Sequence, residues 1–456
     1  MAVATSVATG VATGALEVVD ALLVAMTAVY SAVAAAFRVL PFTRRVESPR
    51  PSVVIVGASF AGLWAQRSLC NRFDVTLVDM KEYFEYTPGA LRLFVQPSHL
   101  KRITRPLPSK RCAKVIAQVT EVTPSQLAVR YASGQAGTIP FDYLLLACGS
   151  LYPAVHGQEV VKPGAAQSTL VQREACWAVA ARKLAEAEDA IVVGGGPVGV
   201  ELAAEIKAAY PKKRVVLISR SERLCAALPP RVGEVCLRWL ERHQVEVLCG
   251  VSTSSIKEDG VTLTDGRSLR AAAVYNCCGG RPNSAMLKRH FGSQLDAAGR
   301  LLVNDHLQVD GHPHIFGMGD LIHHPASDEL KLGHTAELNA HVVAHNVLAM
   351  HEDGKAADLA TYPQGAHRLN RSPQVYCVSL GKHSGALAFN GIVISGWPAA
   401  MMKWLLEWTK VAACAERPVG TLFWSFADAQ TALLSRTILP VPEPYPTAEG
   451  KAPKVA

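Results

Sequence analysis

The chain has 456 residues, of which 49% are apolar and 18% charged, and its formal net charge is +8. This length exceeds a single small core and predicts two or three domains. A nucleic-acid-binding protein would cluster its Lys and Arg residues among aromatic ones. The sequence contains no such cluster, so we expect no nucleic-acid partner. The modest excess of positive charge instead favours contact with an anionic membrane surface.

The eleven cysteines have no regular spacing, and a chain of this length does not need disulfide bonds for stability. We therefore expect reduced thiols in a protein that faces a reducing compartment. No Cys or His spacing resembles a zinc site, so the sequence predicts no metal, and His323 and His324 are interpreted as structural. Cys277 and Cys278 are adjacent, so a redox-active disulfide between them is one possibility, although two buried thiols in a strand are the commoner arrangement.

The first 50 residues form an apolar segment and a linker. No residue from Ala21 to Phe37 is charged, whereas Arg38 and further arginines follow. This stretch is at the short limit for crossing a bilayer, which needs about 20 apolar residues. The absence of early positive charge argues against a secretory signal. A membrane anchor, a cleaved targeting segment and a soluble packing helix remain open, and Glu47 to Pro51 forms the linker.

Short apolar runs alternate with helical patterns over most of the remaining chain, which is typical of parallel βαβ sheets. The predicted strands cover residues 51–56, 74–79, 141–147, 190–193, 214–218 and 272–277. Alternating segments at residues 115–131 and 261–269 predict β-hairpins. The sequence therefore predicts an α/β fold with two interleaved Rossmann-like dinucleotide-binding domains and a smaller C-terminal region. The first domain is expected at 51–160 and 281–347, the second at 161–280, the C-terminal region at 348–439 and a disordered tail at 440–456.

The first glycine-rich turn follows a predicted strand and opens a helix. Gly57 permits a tight strand-to-helix corner, and Gly62 lets the helix pack closely on the strand. Ser59 replaces the middle glycine of the usual pattern, but its side chain is small. Asp79 closes the next strand, where a carboxylate accepts hydrogen bonds from an adenosine ribose. The expected cofactor contacts here are Gly57, Ala58, Ser59, Phe60, Ala61 and Gly62, with Asp79 on the ribose.

A second glycine-rich turn contains the full pattern of Gly194, Gly196 and Gly199. Two such turns in one chain predict two dinucleotides, a flavin and a nicotinamide nucleotide, that exchange a hydride. The following strand ends without an acidic residue, and Arg220 stands there instead. An acid would repel the 2′-phosphate of NADPH, whereas a cation accommodates it. We therefore favour NADPH, or the use of both nucleotides, over NADH alone.

Two features near residue 320 predict further contacts with the flavin. An apolar strand leads into Gly317-Met318-Gly319-Asp320, which places the Asp320 carboxylate against a polyol chain such as the flavin ribityl. Lys331 then leads into a long helix that extends to Asn346. The N-terminal dipole of this helix, together with Lys331, stabilises negative charge on a reduced flavin. Lys331 is the one side chain to which we assign a catalytic role.

These motifs together resemble the pyridine-nucleotide:flavin oxidoreductases with two Rossmann domains, over roughly residues 52–425. The chain looks most like the ferroptosis-suppressor branch of the apoptosis-inducing-factor-like proteins, and it is similar to type II NAD(P)H:quinone dehydrogenases. The segment Tyr83 to Arg92, the motif that ends in Asp320, and Lys331 carry this resemblance. It implies non-covalent FAD, electrons from NADH or NADPH, and a membrane quinone as the acceptor.

The resemblance also implies roles for individual residues. The loop that ends at Arg92 would lie against the isoalloxazine, Asp320 would hold the ribityl chain, and Lys331 would lie beside the ring. Disulfide reductases of this fold carry a Cys-x4-Cys pair after the first ribose-binding acid, but residues 80–95 contain no cysteine. We therefore do not expect the reduction of disulfides.

The C-terminal region is rich in tryptophan. A helical pattern begins at Trp397 and combines Met401, Met402, Trp404, Leu405, Trp408 and Val411 with Lys403, Glu407 and Lys410. A second apolar segment contains Leu422, Phe423, Trp424 and Phe426. Tryptophan and lysine together are typical of a helix that lies at a membrane interface. The alternative is an ordinary amphipathic helix that covers either the core or the interface of a homodimer.

We accordingly expect a membrane-associated, FAD-dependent enzyme that passes electrons from NAD(P)H to a membrane quinone or another small acceptor. Two alternatives remain open. One is an NAD(P)H oxidase or ferredoxin-type reductase of the same fold, and the other is a redox-sensing flavoprotein with a signalling role. The glycine motifs, complete at the second site and nearly complete at the first, favour turnover over a scaffold.

Overall fold

The computed structural model describes residues 50–108, 112–152, 162, 164–325, 329–353, 359–415 and 417–443. The expected N-terminal apolar segment and residues 444–456 of the expected tail lie outside the described residues. Residues 440–443 are irregular chain. In the part of the chain that is described, no helix is both long enough and apolar enough to cross a membrane.

The strands of the described residues are numbered in chain order. They are β1 Ser52–Val56, β2 Asp74–Asp79, β3 Tyr83–Glu85, β4 Thr104–Pro106, β5 Ala113–Val122, β6 Gln126–Tyr131, β7 Ala136–Pro140, β8 Tyr143–Leu146, β9 Ser150–Leu151, β10 Asp189–Val193, β11 Arg214–Ile218, β12 Val245–Leu248, β13 Thr253–Lys257, β14 Gly260–Leu263, β15 Ser268–Arg270, β16 Ala273–Asn276, β17 Arg281–Pro282, β18 Leu301–Leu302, β19 Gln308–Val309, β20 His312–Gly317, β21 Ile322–His323, β22 Val375–Ser379, β23 Gly385–Phe389 and β24 Ile392–Ser395.

The helices of the same residues are numbered in the same way. The α-helices are α1 Phe60–Leu69, α2 Leu100–Ile103, α3 Leu170–Glu186, α4 Pro197–Ala209, α5 Pro230–Arg242, α6 Lys288–Phe291, α7 Gly333–Asp353, α8 Gln364–His367, α9 Trp397–Cys414 and α10 Pro418–Thr437. The 3-10 helices are Thr87–Phe94, Pro97–His99, Ala165–Gln167, Ala285–Leu287, Gly292–Gln294 and Gly319–Leu321.

The first sheet is built from two separate parts of the chain. Within the described residues its strand order is β19-β20-β8-β1-β2-β5-β6-β7. The strands from β20 to β5 are parallel, and Val54 lies opposite Thr76 on one side and Leu144 on the other. The inner strand β1 is buried from Val53 to Val56, which explains its uninterrupted apolar run. Because β20 follows the second domain in the chain, the two domains are interleaved as expected.

The second sheet has the order β12-β11-β10-β16, and all its strands are parallel. The chain crosses between the two domains at β9 and at β17. These short strands pair with each other, with Leu151 opposite Arg281, so the two crossings run side by side. Both hairpins expected from the sequence are present, as the antiparallel pairs β5–β6 and β14–β15.

The C-terminal region consists of the antiparallel sheet β22-β23-β24 and the helices α9 and α10, which pack against each other. Helix α7 precedes it and is longer than expected. It continues beyond Asn346 to Asp353 and so runs past residue 347, where we placed the end of the first domain.

Helix α9 turns its charged residues inward, which differs from the arrangement expected of an interfacial helix. Glu407 and Lys410 are buried and Lys403 is half-buried, because they pair with charges on other parts of the protein. The outer side of the helix is therefore apolar. Helix α10 adds further apolar residues that face solvent. The apolar hairpin residues, as we call them, are Trp397, Met401, Met402, Leu422, Phe423, Phe426 and Leu433.

Candidate active site

The first glycine-rich turn has the geometry of a dinucleotide cradle. Gly57 has a φ of +104°, and a Cβ atom there would collide with the carbonyl oxygen of Ala147. A Cβ atom at Gly62 would collide with the carbonyl oxygen of Gly57. Both positions exclude a side chain, because the end of β1, the chain after β8 and helix α1 approach one another at backbone distance.

Asp79 lies at the end of β2, beside this turn. Its Oδ2 accepts a hydrogen bond from the backbone N–H of Ala58 at 2.6 Å and lies 3.1 Å from the Nζ of Lys81. Ser59 has the extended backbone of an N-cap residue, and Ala61 is buried. The Asp79 carboxylate therefore fixes the turn and also carries negative charge to the place where we expect a ribose.

Phe60 connects this turn to two other parts of the site. The centre of its ring is 5.7 Å from that of Phe84 and 5.8 Å from that of Tyr86, both edge-on. A Cβ atom at Gly333, the first residue of α7, would lie 3.2 Å from the Phe60 ring. The first turn, the loop that begins at Tyr86 and the N-terminus of α7 thus meet at one aromatic side chain.

Asp320 lies in the 3-10 helix Gly319–Leu321 that follows β20, and its carboxylate is partly exposed. Its Oδ2 accepts a hydrogen bond from the Oγ of Ser150 at 2.7 Å and lies 3.3 Å from the Nζ of Lys162. The preceding Gly319 has a φ of +71° and donates its backbone N–H to the side-chain oxygen of Asn339 on α7. This bond ties the loop that carries Asp320 to the helix.

Lys331 lies in the segment that leads into α7, two residues before the helix begins at Gly333. Burial lowers the pKa of its ammonium group, although the charges of Glu329 and Asp320 act in the opposite direction. A cation that is partly removed from water suits an anionic ligand, and the N-terminus of α7 adds to the positive potential.

These residues fit FAD. The two side-chain-free positions at Gly57 and Gly62 allow a pyrophosphate to approach the N-terminus of α1, where backbone N–H groups point outward. Asp79 offers a carboxylate to a ribose, and Asp320 offers one to a polyol chain. Lys331 and the N-terminus of α7 supply positive potential for the ring system.

The second turn repeats this construction. Gly194 has a φ of +124°, and a Cβ atom there would lie 2.9 Å from the carbonyl oxygen of Cys277. A Cβ atom at Gly199 would collide with the carbonyl oxygen of Gly194. At Gly196, the N-cap residue of α4, a Cβ atom would meet no atom of the described chain within 4 Å. The turn is therefore packed from behind and open where a pyrophosphate would approach the helix.

Arg220 lies two residues beyond the end of β11 and is exposed. Burial raises the pKa of the Cys278 thiol, and the charge of Arg220 partly offsets this rise, so the two side chains lie near each other. Burial raises the pKa of Cys277 to about 12. Both cysteines are free thiols, so the disulfide that the sequence left open is not formed.

Arg92 lies on the 3-10 helix Thr87–Phe94, and its guanidinium group is 2.9 Å from Glu205 of α4. Burial by itself lowers the pKa of Arg92, but the charge and the hydrogen bond of Glu205 outweigh burial and raise it. The sequence predicted a place for this residue beside the flavin. The structure adds that its charge joins the first domain to the second.

Arg92 also borders a cleft where the two dinucleotide-binding domains and the C-terminal region meet, which we call the three-domain cleft. The volume of its cavity is about 130 Å³. Among the described residues, three side-chain pairs named here border it, and each joins a different pair of these three parts. They are Arg92 with Glu205, Lys403 with Glu201 at 2.5 Å, and His99 Nε2 with Glu407 Oε2 at 3.3 Å.

The sequence pattern indicated no role for these acids or for His99. Glu201 and Glu205 carry a local signal, because two acids one turn apart in the otherwise apolar α4 need buried partners. His99 carries no such signal. Its partner Glu407 is 308 residues away in the chain, so only the fold brings them together.

Two glycine cradles on two interleaved parallel sheets define the class of proteins that bind one flavin and one nicotinamide dinucleotide. The family description "Pyridine nucleotide-disulphide oxidoreductase" matches residues 51–340. The chain belongs to this family. It is an FAD- and NAD(P)-dependent oxidoreductase, which confirms the predicted fold class and cofactors.

The relatives confirm the expected branch of the family. The chain is 30% identical to human (Homo sapiens) ferroptosis suppressor protein 1 over 366 residues, which cover 76% of this chain and 91% of the relative. It is 25% identical to apoptosis-inducing factor homolog B of Dictyostelium discoideum, over 74% of this chain and 89% of that protein.

Solved structures share the fold at lower identity. NDH2 of Plasmodium falciparum in complex with NADH aligns with a TM-score of 0.67 and 13% identity, covering 86% of this chain and 100% of that chain. The sulfide:quinone oxidoreductase of Aquifex aeolicus aligns with a TM-score of 0.63 and 17% identity, covering 86% of this chain and 96% of that chain.

Proposed function

We propose that the protein is an NAD(P)H:quinone oxidoreductase that works at a membrane surface. The observation that carries this proposal is the exposure of the apolar hairpin residues while the charges of α9 face inward. Leu422 is 70% exposed and Phe426 62% exposed. Apolar side chains of this size insert into the boundary between headgroups and acyl chains, and a quinone with a lipid tail is found in that layer.

The residues of the chain bind and orient the reactants. When bound, FAD supplies the two-electron chemistry that joins a nicotinamide to a quinone. The first turn, Asp79 and Asp320 hold the flavin nucleotide, and the second turn holds NAD(P)H with Arg220 on a 2′-phosphate. A protein that holds both reactants in a fixed geometry converts their bimolecular reaction into an effectively unimolecular one. The positive potential of Lys331 and of the N-terminus of α7 would stabilise the flavin in its more negatively charged state.

A redox titration without oxygen tests the reaction. The purified yellow protein should bleach rapidly with NADPH or NADH and recover its colour with a short-chain quinone. Recovery only with oxygen or a ferredoxin would favour an oxidase or a ferredoxin-type reductase. Bleaching that is slow, and that no acceptor reverses quickly, would favour a redox-sensing signalling protein instead.

Flotation with lipid vesicles tests the membrane contact. Leu422→Ser combined with Phe426→Ser should abolish flotation and slow turnover with a long-chain quinone in vesicles, while turnover with a soluble short-chain quinone stays as in the wild type. Val171→Ser is the matched control, because Val171 is 77% exposed on α3 outside the hairpin. Dimer dissociation in place of lost flotation would identify the surface as a homodimer interface.

A further inference from the structure

We propose that His99, held in place by Glu407, donates a proton to the quinone in the three-domain cleft. The inference rests on the proposed function, because it assigns the proton donor for that same reaction. His99 and Glu407 are both buried, and they come from the first domain and from α9 of the C-terminal region.

The balance of the reaction requires such a donor. NAD(P)H and a quinone become NAD(P)⁺ and a quinol only if one further proton is taken up. The nicotinamide gives a hydride, which contains two electrons and one proton, while the quinol contains two new O–H bonds. A positioned side chain that provides the second proton accelerates such a step by roughly 10²–10⁴-fold.

The floor of the cleft lies close to the first dinucleotide turn. Tyr86 contacts Phe60 of that turn edge-on. Burial raises the pKa of Tyr86, and the charge of Glu407 raises it further, so Glu407 lies near Tyr86. A Cβ atom at Gly89 would lie 3.0 Å from Glu407 Oε2 and 3.4 Å from the Tyr86 ring. Tyr86 therefore lies near both the His99–Glu407 pair and the first dinucleotide turn.

Helix α9 links the cleft to the proposed membrane surface. Ala400 and Trp404 of α9 line the cleft. Trp397 and Met401, about one turn earlier on the same helix, are exposed apolar hairpin residues. Helix α9 thus carries exposed apolar residues and part of the cleft wall within about one turn, which gives a lipophilic acceptor a short path from the membrane to the cleft.

Among the side-chain types of the cleft, histidine is the one most often used as a general acid. The guanidinium of Arg92 and the ammonium of Lys403 are engaged in ion pairs with Glu205 and Glu201. His383 also borders the cleft, but His99 is buried and is held by Glu407, which fixes its ring.

Glu407 positions the imidazole of His99, with Oε2 3.3 Å from Nε2. Burial by itself raises the pKa of Glu407, but the hydrogen bond and charge of His99, with Arg92 and Arg102, lower it below its ordinary value. The Glu407 carboxylate therefore faces Nε2 of His99 and orients the ring. In the proposed step the Nδ1–H bond of the imidazolium, which does not face Glu407, breaks, an O–H bond of the quinol forms, and Nδ1 of neutral His99 regains a proton from water at the mouth of the cleft.

Separate measurement of the two halves of the reaction tests this proposal on the holoenzyme. In His99→Asn, recovery of the flavin colour with a short-chain quinone should slow about a hundredfold. Bleaching by NADPH should stay within about twofold of the wild type. Recovery with ferricyanide, which accepts electrons without protons, should also be unchanged, and added imidazole should restore part of the lost rate.

Three comparisons make the result specific. Glu407→Gln should slow the quinone step less than His99→Asn does. His324→Asn should leave it unchanged, because it removes a buried histidine outside the cleft, with Nε2 3.2 Å from Asp305. The affinity of the quinone for His99→Asn, measured by calorimetry, should match the wild type, because the donor acts on the rate and not on binding.

Two results would overturn the proposal. Equal slowing with quinone and ferricyanide would show that His99 only supports the structure, and a wild-type rate with quinone would show that the proton comes from elsewhere. A wild-type protein that no quinone reoxidises would instead refute the proposed function, and the inference with it.

Discussion

Lys410 of α9 forms an ion pair with Glu337 of α7, and both side chains are buried. Lys410 also lies over the ring of Trp424 on α10 and 5.9 Å from the centre of the Phe60 ring in the first glycine-rich turn. One ammonium group therefore connects the apolar hairpin, the helix that begins beside the flavin site and the turn that cradles the dinucleotide.

Replacing Lys410 by Met should destabilise the protein by about 3–5 kcal/mol, because it leaves the Glu337 charge buried without its partner. Burial raises the pKa of Glu337, and Lys410 acts against this rise. In the variant, Glu337 of the folded protein should therefore keep a proton that the same side chain releases near pH 4.3 in the unfolded chain. Stability then falls as pH rises above that value.

The midpoint of thermal unfolding at pH 5 and pH 8 measures this effect. The difference between Lys410→Met and the wild type should be larger at pH 8. Adding Glu337→Gln should remove most of both the loss and its pH dependence. An equal loss at the two pH values would contradict the account.

Gly194→Val should keep FAD bound but abolish reduction by NAD(P)H. The positive φ of Gly194 is strained for any side chain, and a Cβ atom would crowd the carbonyl of Cys277. Absorbance of the bound flavin and the rate of bleaching give the two readouts. Gly292→Ala is the control, because no atom of the described chain lies within 4 Å of the added Cβ. Normal bleaching of Gly194→Val would refute our assignment of the second site.

Arg220→Ala should weaken the binding of NADPH much more than that of NADH. A hydrogen bond to a charged group contributes about 1.5–3 kcal/mol, which corresponds to roughly 10–100-fold in the dissociation constant. Titration of each nucleotide against the protein measures this. Arg214→Ala, at the start of the same strand, should affect neither. Equal losses for both nucleotides would remove the preference for NADPH.

Asp320→Ala should yield a protein that folds but loses FAD. The variant removes the acceptor that we assign to the ribityl chain, while Ser150 and Lys162 lose only a surface-accessible partner. The ratio of flavin to protein after purification is the measurement. Asp305→Ala, which removes an aspartate with a 70% exposed side chain, is the control. Full flavin content in Asp320→Ala would show that this carboxylate does not hold the cofactor.

Lys331→Met should make the flavin harder to reduce, because a cation near the expected ring position is lost. For a two-electron couple, about 30 mV in the midpoint potential corresponds to 1.4 kcal/mol. Equilibration with dyes of known potential should show a negative shift in Lys331→Met and a smaller one in Lys331→Arg. An unchanged potential would assign Lys331 a purely structural role.

Much of the fold was predictable from local patterns. The parallel strands were recognisable as apolar runs because both faces of the sheet are covered, as at Val53 to Val56. The glycine positions were predictable because backbone packing alone forbids a side chain there. The face that α9 turns toward solvent was not predictable. Its charged residues indicated a polar face toward solvent, but Lys410 and Lys403 face inward because they pair with Glu337 and Glu201 elsewhere in the chain.

The sequence by itself determined that two dinucleotides bind, because each turn and its following strand lie within one short stretch of chain. Only the tertiary structure decided what lies between the domains. Arg92, His99 and Lys403 find their partners across large separations in the chain, and no periodicity records such a pairing. The outward apolar face of the hairpin follows from the same cause, since a charge that is buried in an ion pair no longer marks the surface as polar.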